Sequence, residues 1–92
     1  MGENIMPYIM KDGRRGFDQQ LEAIGPHTTT AGDLNYCITH LCHSYLKAHG
    51  KSYSTMNDII GVLEAAKMEF NRRIVAPYED IKIEENGDMD VL

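Results

Sequence analysis

The sequence predicts an all-α protein: a small helical hairpin or bundle with an extended N-terminal arm and a long, Pro-kinked C-terminal helix, completed by oligomerisation. Three observations carry this. Met56, Ile59, Ile60, Leu63, Ala66, Phe70 and Ile74 recur at the spacing of one helical face. Gly25-Pro26 and His49-Gly50 stand where two earlier apolar stripes run out, as helix terminators do. Finally, a β-hairpin on Asn86-Gly87 would pair Glu85 with Asp88 and Ile83 with Asp90. That register places the apolar residues of the two strands on opposite faces, so the segment reads as the end of a helix.

The chain is 92 residues long and forms one domain, 1–92, near the lower end of what folds alone. Residues 1–13 read as an arm. Its apolar cluster, Met6-Pro7-Tyr8-Ile9-Met10, contains a proline that resists a helix, and Asp12-Gly13 is a turn signal. A short helix is expected from Gly16 to Gly25, with Phe17, Leu21 and Ile24 on one face.

Thr30 followed three residues later by Asp33 is a capping arrangement, and it starts a second helix running to about Ala48. Leu34, Cys37, Ile38, Leu41, Tyr45 and Ala48 form the face expected to be buried. Tyr36, His40, His43 and Lys47 form a polar stripe opposite, richer in aromatic and imidazole groups than an ordinary solvated face. The linker Lys51-Ser52-Tyr53-Ser54 is short, so the second and third helices are expected to run antiparallel, with Ser52 or Ser54 capping the third.

The third helix has a second row, Gly61, Ala65, Met68 and Arg72, whose small residues admit another backbone. Either the arm and first helix cover this row, or a second copy of the chain does. The apolar phase continues past Pro77 through Tyr78 and Ile81 to a cap at Gly87, and residues 88–92 form a loose tail.

Charge and cysteine usage narrow the function. The net charge of −5 comes from the C-terminal end, where six acidic residues of 79–92 face Lys82 alone. No basic surface of the size duplex nucleic acid requires is evident, and no apolar run is long enough to span a membrane. The N-terminus lacks the pattern of a secretion signal, and Cys37 and Cys42 lie about 140° apart around one helix, too divergent to bridge. A cytoplasmic protein is expected, with neither membrane nor nucleic acid as partner.

No catalytic residue, metal site or cofactor stands out. His40 and His43 supply half of a zinc site, and neither H-E-x-x-H nor C-x-x-C occurs. The paired carboxylates of a helical nucleotide hydrolase are missing, as are a P-loop and a nucleophile–base pair. What remains points to binding. Arg72-Arg73 beside the Pro77 bend and Arg14-Arg15 near the first helix match phosphate oxygens in geometry. Tyr8, Tyr36 and Tyr78 can stack on a base, and His40 and His43 extend that polar surface. The ordinary alternative for Arg73 is an i, i+4 pair with Glu69. The expected partners are therefore the chain itself, as a homo-oligomer, and a small nucleotide ligand, with an inhibitory protein–protein module as the alternative.

Gly61-Val62-Leu63-Glu64, Arg72-Arg73, Ala76-Pro77-Tyr78-Glu79 and Glu85-Asn86-Gly87-Asp88, with Met6-Pro7-Tyr8-Ile9 near the start, resemble a family of short uncharacterised phage and bacterial proteins. The resemblance covers nearly the whole chain from Met6 onward. It implies a domain of unknown function and a phage setting, and assigns no catalytic residue.

Overall fold

The structure, a computed structural model, describes residues 6–90. Among these, every regular element is helical: α1 (Lys11–Ile24), α2 (Ala31–His49), α3 (Tyr53–Phe70) and α4 (Ala76–Asn86). A 3-10 turn at Gly25–His27 follows α1, and a π-helical turn at Asn71–Val75 joins α3 to α4 in one long bent helix. The chain divides into two units, Tyr8–Ile60 and residues 6–7 with 61–90.

The first helix is longer than its sequence suggests. It begins at Lys11, five residues ahead of Gly16, which confines the described part of the arm to residues 6–10. Residues 1–5 of the expected arm lie outside the described ones. Asp12 and Gly13 are turn-forming residues, yet here they open a helix. The Gly13 amide donates to the Met10 carbonyl at 2.9 Å, and the Asp12 carboxylate lies in the first turn, where the helix dipole favours it. Arg14 and Arg15 are thus inside the helix rather than ahead of it. Arg14 Nε donates to the Ile9 carbonyl at 2.9 Å, so this side chain ties the arm to the helix that follows.

α2 begins and ends as its sequence requires. The Asp33 amide donates to Thr30 Oγ1 at 3.0 Å, while the Thr29 amide and hydroxyl donate to Asp33 Oδ2 at 3.2 and 3.0 Å. The cap is therefore reciprocal, and it satisfies donors that the first turn leaves without helical partners. At the other end Gly50 has φ of +98°, a conformation that a side chain would strain, and its amide closes on the Leu46 carbonyl. Ser52 then caps α3: its Oγ accepts from the Thr55 amide at 3.1 Å and donates to Thr55 Oγ1 at 3.0 Å. Ser54 does not take that role.

The π turn is the local consequence of Pro77. A proline within a helix has no N–H to donate, and its ring crowds the carbonyl four residues back. The chain relieves this by widening the preceding turn, so that the Ala76 amide reaches the Asn71 carbonyl, five residues away. The added residue has a second effect. Each residue of an α-helix advances by about 100°, so one extra residue rotates everything downstream by roughly that angle. Tyr78 and Ile81 therefore do not extend the Met56–Ile74 stripe in the simple α phase expected of them. The helix ends at Asn86, with Gly87 at φ +91° as its cap, and residues 87–90 have no regular structure. Residues 91–92 of the expected tail lie outside the described ones.

The expected burial is not achieved within the chain. Among the described residues no apolar side chain is buried, and Thr55 is the one buried residue. On α2, the face expected to be covered leaves Leu34 at 52% exposure and Leu41 at 60%. Cys37, Cys42 and Leu46 are half-buried. The apolar periodicity is real, but within Tyr8–Ile60 the helices cover one another too little to build a core from it.

Candidate functional site

The residues that gather around a concave surface all belong to the second unit. Met6, Ala65 and Met68 give it an apolar lining, and Lys67, Glu69, Asn71 and Arg72 add polar and charged groups. The groove has a volume of about 640 Å³, within the range of small-molecule sites. Its position follows from two local facts. The row Gly61, Ala65, Met68 and Arg72 is small at its N-terminal end, and Met6 of the arm lies against it. The π turn begins at Asn71, so the groove ends where the helix widens.

Arg72 and Arg73 share one carboxylate. Glu69 accepts from Arg72 in a two-pronged arrangement, Nε to Oε1 at 3.1 Å and Nη2 to Oε2 at 2.7 Å. Arg73 Nη1 stands 3.9 Å from the same Oε2. The ordinary i, i+4 partner expected for Arg73 is therefore the looser of the two contacts, and Arg72 makes the tight one. The Glu69 side chain is only 15% exposed, whereas both arginines are largely open to solvent. A forked guanidinium–carboxylate pair is the stronger kind of surface ion pair. Two guanidinium groups against one carboxylate leave a net positive charge at the π turn. Lys67 adds a third cation to the groove lining, although it pairs with Glu64 at 3.3 Å.

The other residues selected from sequence fall elsewhere. Tyr78 is on α4, where the Lys82 ammonium stands 5.5 Å from its ring centroid, and it does not line the groove. Tyr8, Arg14, Arg15, Tyr36, His40 and His43 belong to the unit Tyr8–Ile60. There Tyr36 and His40 pair as tilted rings 5.9 Å apart, and His40 Nδ1 lies 3.4 Å from Ser44 Oγ. Tyr45 and His49 make a closer ring pair, at 4.1 Å, on a helix face that was expected to be buried. Among the described residues no three His, Cys, Asp or Glu side chains gather as a metal site requires.

The groove also contains residues that the sequence did not single out. Lys67 and Asn71 are ordinary helix-surface residues by periodicity, and only the three-dimensional position of Met6 reveals that they border a concavity.

A family model described as a domain of unknown function, DUF6899, matches residues 6–89. The chain belongs to this family. The match contains every residue of the groove and both turns flanking α2, so the family's shared region is the helical chain itself. No curated protein and no solved structure matches the chain. No helix among the described residues is long and apolar enough to cross a membrane.

Proposed function

We propose that this protein is a non-enzymatic helical binding protein that works as a homo-oligomer and captures a phosphate-bearing small molecule at the groove beside the π turn. One observation carries the reading: an apolar lining of Met6, Ala65 and Met68 lies next to Lys67, Asn71 and Arg72, with Arg73 on the following residue. An apolar patch accepts a base or ring, the amide of Asn71 orients it, and the cations meet phosphate oxygens. Glu69 tunes the site, since a phosphate must share Arg72 with it. In a phage setting, a protein of this kind would sequester a nucleotide signal of the host.

Isothermal calorimetry with cyclic dinucleotides and ADP-ribose-type nucleotides tests this. Binding should weaken about 10-fold or more in Arg72→Ala, since charge-assisted hydrogen bonds contribute about 1.5–3 kcal/mol. Glu69→Gln should tighten it by removing the competing carboxylate. Absence of heat with every nucleotide, from protein shown to be helical and assembled, contradicts the reading.

A further inference from the structure

The surface left open by the helices is too large to be incidental. The chain exposes 8364 Å². A folded monomer of its mass would expose roughly 5,400 Å², which leaves about 3,000 Å² in excess. A standard protein contact covers about 800 Å² per partner, and only obligate homo-oligomeric interfaces bury several thousand. A transient partner or a docked peptide is far too small to cover this surface.

One face is best suited to the centre of such an interface. α2 is continuous, without a proline or a π turn, and positions 34, 37, 38, 41, 45 and 48 carry no charge. The α3 stripe is interrupted in phase by Lys67 and then rotated by the π turn. The α1 stripe has only three large members. Charge also favours self-association, because residues 1–78 hold eight acidic and eight basic side chains and two copies meet without net repulsion.

We infer that the α2 face of Leu34, Ile38, Leu41 and Tyr45 seats on the same face of a second copy, and that folding and association are a single event. The apolar sides of α1 and α3 add to the buried surface around it. A chain whose apolar faces are covered only by its twin has no stable folded monomer, so its stability depends on concentration. The inference deepens the oligomeric part of the function proposed above and is independent of the ligand.

Thermal melts followed by circular dichroism over a hundred-fold range of full-chain concentration test it, with the mass measured by light scattering. The melting temperature should rise by roughly 5–10 °C across that range, at a mass of two copies or a multiple of two. Leu41→Asp should lose both the assembly and the cooperative melt, whereas Lys47→Glu on the opposite stripe should keep both. A wild-type monomer melting independently of concentration would overturn the inference, as would Leu41→Asp retaining the assembly or yielding a folded monomer. Failure of nucleotide binding in an intact assembly would sink the ligand reading alone.

Discussion

α2 and the α3–α4 segment are both amphipathic by sequence, yet they are built differently. α2 is closed by local chemistry at both ends, a reciprocal Thr30–Asp33 cap and a positive-φ Gly50, with an unbroken helix between. The longer segment runs through a proline and yields to it by widening one turn. The difference shows what each kind of signal is good for. Caps and glycines act over three or four residues and hold their geometry without tertiary help. A stripe of apolar residues only states that a face needs cover, and its phase survives only while the helix stays α-helical.

The proline offers the largest way to break this contrast. Pro77→Ala restores an amide and removes the clash that the π turn relieves. Equilibrium unfolding should show a gain of about 1–3 kcal/mol, bounded by the cost of an interior proline. The same variant should lose nucleotide affinity, because Arg72 and Arg73 lie within the rewound turn. Unchanged stability would mean that Pro77 is not the cause of the π turn.

Gly50→Ala should cost α2 about 1–3 kcal/mol, since no relaxed conformation of alanine matches φ +98°. Gly16→Ala makes the opposite prediction in α1. That glycine is helical with open space around it, and alanine should stabilise by about 0.5–1 kcal/mol. Thr30→Ala removes the α2 cap acceptor at a cost of about 1 kcal/mol.

The smallest effect concerns pH. The Thr29 hydroxyl and amide, followed by the Thr30 hydroxyl, hold the Asp33 carboxyl below its usual range. A carboxyl with a lowered folded pKa stabilises above its unfolded pKa of about 3.9, and that contribution is lost as pH falls through the folded value. Acid titration should therefore loosen the α2 N-terminus first below about pH 4, and Asp33→Asn should flatten that dependence in amide exchange of the first turn.

Much of the backbone was legible in the sequence. Thr30, Gly50, Ser52 and Gly87 mark helix ends where the structure has them, and the helical end at Asn86-Gly87 follows from the failed hairpin register. The start of α1 was not, because Asp12-Gly13 is locally ambiguous and the deciding bond, from Arg14 to Ile9, reaches outside the helix. Of the candidate site, Arg72 and its row were visible as periodicity. Lys67 and Asn71 were not, since no spacing rule says that the arm residue Met6 will face them. Tyr78 was assigned by α phase, which the π turn invalidates.

The most direct test is sedimentation equilibrium of the full chain over a hundred-fold range of concentration. The account predicts a mass of two copies or a multiple of two wherever the chain is helical, and loss of helix wherever it dissociates. A helical species at the mass of one chain would contradict it.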